Sequence, residues 1–388
     1  MGLELSPHGG NVRRVAEIAG VPPGDLLDFS ASVNPLGPPG WLREVVLAHL
    51  GEVEHYPDPG CSALVESLSV HYGVDPGRIV VGNGSAEIIA ALPRVLAAAL
   101  GQAPRAVIPV PTYTDYALAA GEAGYTVEAP ALEESRDFAL DLEGLGARLR
   151  GAEAVFIGRP NNPTGALCPA RDLLAVAGGH PRSWFVVDEA FVEFVDEEAA
   201  AAGTGEAAGT GAAAGLPGLL QADLPNLVVL RSLTKLYAIP GLRLGFAVAA
   251  PAVAAALRRA LPPWSVNALA QAVGVAALAD KEYVEATRGL IRGERRRLTE
   301  RLAGLPGLDV FPGTANYLLV KISEGLLDAQ ELARRLLRRG VAIRVCDDFA
   351  GLGPEFFRVA VRTGAENARL IAELRAVLDP ETEGPAPR

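Results

Sequence analysis

Short segments that are apolar throughout recur along the first two thirds of the chain, and they constrain its fold more than any other feature. Each is followed by polar residues or glycine, and helix-like stretches separate most of them. Strands that are apolar on both faces, with helices between them, are typical of a parallel sheet covered by helices on both sides. We therefore predict an α/β fold with strands at residues 78–82, 105–109, 154–158, 184–188, 227–231 and 244–248.

The pattern changes after about residue 255, where strands and helices no longer alternate regularly. A long helical segment at 267–303 is followed by strands at 316–322, 341–345 and 357–361 and by helices at 329–339 and 366–378. This part is predicted to form a smaller α+β domain. The expected organisation is an N-terminal arm, 1–40, that packs with the small domain, a large domain, 41–255, and a small domain, 256–388. Further helices are predicted at 11–20, 62–72 and 86–99.

Residues 196–223 form a low-complexity stretch made mostly of Ala, Gly and Thr. Such a composition lacks the large apolar side chains that a packed core requires. We predict a surface insertion in the large domain that has no part in the chemistry.

Composition excludes several classes of partner for this chain of 388 residues. The net charge of −11 makes nucleic acid and anionic membranes poor partners. No apolar run of about 18 residues lacks charges or helix breakers, and the first residues do not resemble a secretory signal. The three cysteines, Cys61, Cys168 and Cys346, lie far apart, which argues against a disulfide framework or a cysteine-rich metal site. We expect a protein of the reducing cytoplasm that binds no metal.

Lysine is rare in this chain, and only Lys235, Lys281 and Lys321 are candidates for a nucleophilic amine. Lys235 ends the run Ser-Leu-Thr-Lys directly after a predicted strand, and Arg243 follows eight residues later. Hydroxyls and a guanidinium favour phosphate binding, and an electropositive, buried position lowers the pKa of an amine. A lysine in such a position is suited to Schiff-base chemistry with a carbonyl compound. A lone lysine after a strand is usually a solvated surface residue, but the rarity of lysine in this chain and the neighbouring hydroxyls weaken that alternative here.

The segment Gly-Asn-Gly-Ser-Ala-Glu at 82–87 joins a predicted strand to a predicted helix. Glycines allow close approach to the backbone, and the N–H groups at a helix start attract phosphate. The third glycine of a dinucleotide fingerprint and the lysine of a P-loop are both missing. This segment alone therefore predicts either a phosphate site or a tight turn.

Two further polar groups follow predicted strands. Asp188 ends the strand 184–188, where a carboxylate is either a helix cap or the partner of a cationic nitrogen. Asn162 lies in the run Asn-Asn-Pro-Thr-Gly, whose residue types are also those of an ordinary turn. Because ligands bind beyond the carboxyl ends of parallel strands, both side chains are candidates for one site.

Taken together and in this order, these motifs resemble the fold-type I enzymes that use pyridoxal 5′-phosphate (PLP), the aspartate aminotransferase superfamily. The resemblance covers nearly the whole chain and implies a mostly parallel seven-stranded sheet. It implies that Lys235 binds the cofactor covalently, that Asp188 pairs with its ring nitrogen, and that both are catalytic. It also implies the remaining cofactor contacts, which are Asn162 to the ring oxygen, Tyr113 on the ring face, and Ser85, Ala86, Ser232 and Arg243 to the phosphate.

The same resemblance implies two contacts beyond the cofactor. Tyr56, in the run His-Tyr-Pro-Asp, would reach the cofactor phosphate of a partner subunit, which predicts a homodimer. Arg358, in the strand 357–361, would bind the α-carboxylate of an amino-acid substrate.

Within this superfamily, the chain resembles the threonine-phosphate decarboxylases of cobalamin biosynthesis most specifically in three segments, residues 8–11, 28–37 and 343–363. The implied reaction is decarboxylation of L-threonine O-3-phosphate to (R)-1-amino-2-propanol O-2-phosphate. The implied ligands of the substrate phosphate are His8, Asn34 and Arg344.

The alternative is a histidinol-phosphate aminotransferase or a related aminotransferase. Two positions bear on the choice. Phe191 stands where many aminotransferases have Tyr, and this favours the decarboxylase. Val345 stands where the decarboxylases are expected to have Asp, directly after Arg344.

Overall fold

The structure, a computed structural model, describes residues 9–100, 104–149, 153–195 and 219–378. The predicted ligand His8 and most of the predicted insertion, residues 196–218, lie outside the described residues.

A seven-stranded sheet forms the centre of the fold, and it is mostly parallel. Along the sheet the strands follow the order β2-β8-β7-β6-β5-β3-β4. Only β8 runs antiparallel to its two neighbours. The seven strands are β2 (Ile79–Asn83), β3 (Arg105–Val107), β4 (Thr126–Glu128), β5 (Glu153–Gly158), β6 (Trp184–Asp188), β7 (Leu227–Ser232) and β8 (Leu244–Val248). The predicted α/β class is confirmed, and β4 is the strand that the apolar pattern did not predict.

Helices cover both faces of this sheet because its strands are apolar on both faces. In β6, Phe185 and Val187 pack into one apolar cluster while Val186, between them, packs into another. The helices of the described residues are α1 (Val12–Ala19), α2 (Leu42–Ala48), α3 (Ser62–Tyr72), α4 (Ser85–Leu100), α5 (Asp115–Glu122), α6 (Leu142–Arg148), α7 (Ala170–Gly179), α8 (Leu233–Leu236), α9 (Pro251–Ala260), α10 (Ala268–Ala279), α11 (Lys281–Ala303), α12 (Ala329–Leu337) and α13 (Gly364–Leu378).

A second, antiparallel sheet of four strands lies in the C-terminal part of the chain. Its order is β12-β13-β10-β9, with β9 (Leu308–Val310), β10 (Tyr317–Ile322), β12 (Arg344–Val345) and β13 (Phe356–Ala360). The predicted strand 341–345 is wrong as a single element. Its first half, β11 (Val341–Ala342), pairs in parallel with β1 (Leu27–Asp28) near the N-terminus, whereas its second half pairs with β13.

The predicted helix 267–303 is also wrong as a single element, because Asp280 interrupts it. The Asp280 carboxylate accepts a hydrogen bond from the backbone N–H of Tyr283 at 3.0 Å and so caps the start of α11. Its other oxygen accepts a hydrogen bond from Trp41 Nε1 at 2.7 Å. The side chain that begins α11 thereby also anchors the residue before α2.

The end of the predicted insertion belongs to the packed core. Leu219 and Leu220 are each 1% exposed and lie in the large apolar cluster. The prediction of a surface insertion up to residue 223 is therefore wrong at its C-terminal end. In the described part of the chain, no helix combines the length and the apolar character needed to cross a membrane.

Candidate active site

The carboxyl ends of β5, β6 and β7 meet at one edge of the large sheet. Gly158 pairs with Asp188 across the first two strands, and Ser232 of β7 pairs with Gly245 of β8. Because β8 is antiparallel, its first residues lie at this same edge, and they bring Arg243 with them. The strand order thus assembles side chains that are far apart in sequence.

A cavity of about 190 Å³ opens at this edge. It brings together most of the predicted site residues, which are Ser85, Ala86, Tyr113, Asn162, Asp188, Ser232, Lys235, Arg243, Arg344 and Arg358.

One end of the cavity is suited to phosphate. Helix α4 begins there at Ser85, so the positive end of its dipole faces the cavity. Gly84 precedes it with φ +79°, and a Cβ at this position would lie 2.7 Å from Nη2 of Arg243. The Ser232 and Thr234 hydroxyls, 2.8 Å apart, line the same cavity. Because residue 84 is a glycine, the Arg243 guanidinium can lie against the backbone there and line the same cavity as the start of α4.

Lys235 lies in the short helix α8 and lines the same cavity. Burial and the nearby guanidinium groups of Arg358 and Arg243 lower the pKa of its amine to about 8. About a tenth of the amine is then neutral at pH 7, far more than for an ordinary lysine, and nucleophilic attack on a carbonyl requires this neutral form.

Asp188 is buried and lines the cavity. One carboxylate oxygen accepts a hydrogen bond from Tyr116 Oη at 2.8 Å, and the other accepts one from the backbone N–H of Ala190 at 3.0 Å. Burial raises the pKa of Asp188, while these two hydrogen bonds act against that effect. The carboxylate is held in a fixed orientation in which it can pair with a cationic ligand atom.

Arg358 is a buried cation whose contacts are incomplete. It donates hydrogen bonds to Asn162 Oδ1 and, at 2.9 Å, to the carbonyl oxygen of Ser30, but its buried Nε has no partner. Among the described residues no carboxylate forms an ion pair with it, and burial lowers its pKa. A buried, uncompensated guanidinium is costly, so an anionic ligand is expected to complete it.

Arg344 lies directly opposite Arg358 across strands β12 and β13. Unlike Arg358, it pairs with a carboxylate, and its Nη2 lies 2.6 Å from Asp348 Oδ2. Its guanidinium also lies 5.0 Å from the ring centre of Phe349. Asp348 thus supplies an acid four residues after Arg344, although Val345 occupies the position at which an Asp was expected.

Asn34, a predicted ligand of the substrate phosphate, is not among the residues that line the cavity. Its buried side-chain amide donates hydrogen bonds to the carbonyl oxygen of Leu236 at 2.7 Å and to Thr287 Oγ1 at 2.7 Å. Its backbone N–H donates to the carbonyl oxygen of Lys235 at 3.1 Å. Asn34 therefore joins the N-terminal segment to α8 and α11.

Tyr56 also lies outside the cavity of its own chain. Its side chain is 79% exposed and stacks on Trp264, with 4.5 Å between ring centres. This position leaves it available to a second subunit, which is the role that the resemblance implies.

Sequence reasoning missed Tyr116 and Thr234 as members of the site. Tyr116 lies in the first turn of α5, three residues after Tyr113, which precedes the helix, and the two rings meet edge-on at 5.4 Å. Thr234 lies between Ser232 and Lys235, and was noted there only as a neighbouring hydroxyl.

The described residues contain no group of three or more His, Cys, Asp or Glu side chains placed to hold a metal ion. The cavity instead combines phosphate-binding groups, an amine with a lowered pKa, a buried carboxylate and an uncompensated guanidinium. This set suits covalent chemistry on a carbonyl compound that carries a phosphate, together with recognition of a carboxylate.

Comparison with known proteins agrees with this geometry. Residues 24–374 match the family described as aminotransferase class I and II. The threonine-phosphate decarboxylase of Salmonella typhimurium is 39% identical over 383 residues, which cover 97% of this chain and 98% of that protein. The histidinol-phosphate aminotransferase of Symbiobacterium thermophilum is 36% identical, and the match covers 91% of each chain.

A solved structure agrees as well. The L-threonine-O-3-phosphate decarboxylase of Porphyromonas gingivalis has a TM-score of 0.77 at 25% identity, and the match covers 90% of this chain and 99% of that one. The predicted superfamily and its fold are confirmed. The chain belongs to the class I and II aminotransferase family.

Proposed function

We propose that this enzyme uses PLP to decarboxylate L-threonine O-3-phosphate to (R)-1-amino-2-propanol O-2-phosphate, a reaction of cobalamin biosynthesis, in the cytoplasm. The observation that carries the proposal is the buried Arg358, which faces the same cavity as Lys235 and forms no ion pair within the described residues. The 39% identity to the threonine-phosphate decarboxylase of Salmonella typhimurium supports the choice of substrate.

The residues of the cavity fit this cofactor. Ser85 at the start of α4, Ser232 and Arg243 would hold its phosphate, Lys235 would bind it covalently, and Asp188 would face its ring nitrogen. Arg243 forms no ion pair within the described residues, as expected of a group that binds a phosphate dianion. When bound, PLP supplies an electron sink for negative charge that develops at the α-carbon of a substrate.

The two opposed arginines suit a substrate with an anionic group at each end. Arg358 would bind the α-carboxylate, and Arg344 would bind the substrate phosphate. Each charge-assisted hydrogen bond contributes roughly 1.5–3 kcal/mol, so contacts at both ends strongly restrict rotation of the bonds between them. The protein thereby determines which bond of the α-carbon is placed to break.

Lys235 is the group suited to the proton transfer. In the reaction the bond between the α-carbon and the carboxylate breaks, carbon dioxide leaves, and a proton is added to the α-carbon. With a pKa of about 8, the amine of Lys235 can carry and release this proton near neutral pH.

A histidinol-phosphate aminotransferase is the second candidate, and the 36% identity to the enzyme of Symbiobacterium thermophilum favours it. Phe191 argues for the decarboxylase instead. It lines the cavity and packs edge-on against Tyr317, with 5.0 Å between ring centres, and it offers no hydroxyl to a ligand.

Product analysis distinguishes the two reactions. The purified enzyme with PLP and L-threonine phosphate, and with no 2-oxo acid, should release carbon dioxide and the phosphorylated amino alcohol over many turnovers. Turnover that stops after one cycle and resumes only when 2-oxoglutarate is added would identify an aminotransferase.

We also propose that two chains form a homodimer in which Tyr56 of each completes the phosphate site of the other. The high exposure of this ring and its stacking on Trp264 support the proposal. Mixed subunits offer a direct test. Tyr56→Ala and Lys235→Ala chains, each of low activity alone, should recover activity when they are mixed, because a mixed dimer contains one site with both residues intact. A fully active monomer at the assay concentration would contradict the proposal.

A further inference from the structure

We propose that Tyr116 is a positioning residue that keeps the Asp188 carboxylate ionised and oriented toward the ring nitrogen of the cofactor. This inference rests on the proposed use of PLP. It concerns a side chain that no sequence motif assigned to the site, and it stands on three features of the structure.

The first feature is the hydrogen bond itself. Tyr116 Oη donates to Asp188 Oδ2 at 2.8 Å, and both side chains are buried, with exposed fractions of 2% and 7%. The other oxygen of Asp188 is fixed by the backbone N–H of Ala190. Tyr116 is thus the only side chain in the described residues that donates a hydrogen bond to this carboxylate.

The second feature is the rigidity of the donor. The Tyr116 ring stacks on Phe156, with 5.9 Å between ring centres, and meets Tyr113 edge-on at 5.4 Å. A tyrosine has only two side-chain torsions, and this packing fixes both. The hydroxyl is therefore held against Asp188 and cannot turn away to solvent.

The third feature is the charge environment of Asp188. Burial raises its pKa, and the hydrogen bond from Tyr116 is the largest effect in the opposite direction. Burial and the Asp188 charge hold the pKa of Tyr116 well above its usual range, so the hydroxyl remains a donor at every working pH. The other titratable groups that act on this pair are Glu189, Lys235, Tyr113 and Tyr317.

A donor to the ionised form of a carboxylate favours that form. An ionised Asp188 in turn favours a protonated ring nitrogen, and that positive charge favours loss of the proton from the nitrogen that links the cofactor to Lys235. The hydroxyl of Tyr116 should therefore lower the pH at which the visible absorbance of the bound cofactor changes.

The test compares Tyr116→Phe with Tyr125→Phe in the holoenzyme without substrate. Tyr125 is a matched control, because its buried hydroxyl donates at 2.8 Å to the carbonyl oxygen of Pro93 and does not contact Asp188. In Tyr116→Phe the midpoint of the absorbance change should rise by about one pH unit, the equivalent of one net hydrogen bond. In Tyr125→Phe it should stay at the wild-type value.

A kinetic measurement gives a second readout. Tyr116→Phe should lower kcat by about tenfold, in proportion to the same free energy, while KM for the substrate stays close to that of the wild type. An unchanged absorbance midpoint, or an equal shift in both variants, would overturn the assignment.

A second variant covers the case in which Tyr116→Phe does not fold. Site-specific 3-fluorotyrosine at residue 116 retains the shape of the side chain but is the stronger donor, so the midpoint should move downward. A shift of the same sign as in Tyr116→Phe, or no shift, would contradict the proposal. These absorbance changes do not depend on the substrate. If the protein binds PLP but does not decarboxylate threonine phosphate, the proposed reaction is wrong, whereas the proposal for Tyr116 can still be tested.

Discussion

Replacement of Arg358 should greatly reduce activity but should hardly change the stability of the fold. Replacement of most other buried arginines is expected to destabilise a protein. The change we consider is Arg358→Met, which retains an unbranched apolar chain and removes the guanidinium. In the described structure the hydrogen bonds of Arg358 go only to neutral oxygens, those of Ser30 and Asn162, and its buried Nε has no hydrogen-bond partner. Its guanidinium also lies 5.0 Å from the ring centre of Tyr317, a neutral group. We therefore expect the charge of Arg358 to be compensated when the carboxylate of a substrate binds.

The two effects differ in size. Two charge-assisted hydrogen bonds to the α-carboxylate contribute about 3–6 kcal/mol in total. At about 1.4 kcal/mol for each factor of ten, kcat/KM should fall roughly 10²- to 10⁴-fold. For folding, the two lost hydrogen bonds are offset by the several kcal/mol that desolvation of the guanidinium costs, so the free energy of unfolding should change by no more than about 1 kcal/mol.

Arg159→Met is the matched control for stability. Arg159 is equally buried, but its Nη1 lies 2.6 Å from Glu189 Oε1, and each side chain of this pair is 1% exposed. Removing Arg159 takes away one of the two arginines that pair with the buried Glu189, while Arg231 still pairs with its other oxygen at 2.9 Å. The cost should therefore be about 1.5–3 kcal/mol, the value of one hydrogen bond to a charged group, and not that of a fully uncompensated charge. The two arginine variants should therefore differ clearly in stability although both lose a buried guanidinium.

Denaturant unfolding of both variants in the absence of substrate, combined with steady-state kinetics, provides the assay. If Arg358→Met loses as much stability as Arg159→Met, Arg358 serves the fold, and its assignment to the substrate carboxylate is wrong. Nearly unchanged activity with L-threonine phosphate would refute the assignment in a second way.

Further predictions concern the cofactor lysine and the second arginine. Lys235→Ala should lose both its activity and the visible absorbance of bound PLP. If borohydride still fixes PLP covalently to that variant, Lys235 is not the residue that binds the cofactor. Because the neutral amine is the reactive form, the rate of cofactor attachment should rise about tenfold per pH unit up to about pH 8 and then level off. Since Arg358 contributes to the low pKa of Lys235, Arg358→Met should move this midpoint upward. Arg344→Ala should weaken binding of L-threonine phosphate at least about tenfold, the equivalent of one charge-assisted hydrogen bond, and should leave binding of L-threonine nearly unchanged in calorimetric titration.

The large sheet could be predicted from the sequence because the information is local. Each buried strand is a short apolar run, and the residue that follows it lies at the carboxyl edge of the sheet. That rule made Asp188 and Asn162 candidates for one site, whereas the roles of Ser232 and Lys235 there were implied by the family resemblance. Strand β4, Thr126–Glu128, escaped prediction because it is short, lies at the edge of the sheet and has little apolar character.

Contacts between distant segments could not be predicted in this way. The partners of the Asn34 side chain, Leu236 and Thr287, lie 202 and 253 residues away, and nothing in the surrounding turn sequence indicates them. The helix break at Asp280 was not predicted either, because apolar residues continue on both sides of it. The break is marked by the hydrogen bond from the Tyr283 N–H to the Asp280 carboxylate, which caps the start of a second helix. The partner of Arg344 was missed because Asp348 lies beyond the end of the strand.

Charge pairing separates the residues that support the site from those that form it. Asp188 and Ser232 line the cavity, whereas the residues next to them in sequence, Glu189 and Arg231, do not line it and form a buried ion pair at 2.9 Å. Such a pair satisfies both charges inside the protein and needs no ligand. Arg358, at the same cavity, has neutral hydrogen-bond acceptors and the Tyr317 ring beside it but no carboxylate partner within the described residues, so a bound anion would stabilise it further. A buried charge without a partner is thus the more informative indicator of a binding site, because a fold selected for stability alone would have paired it or replaced it.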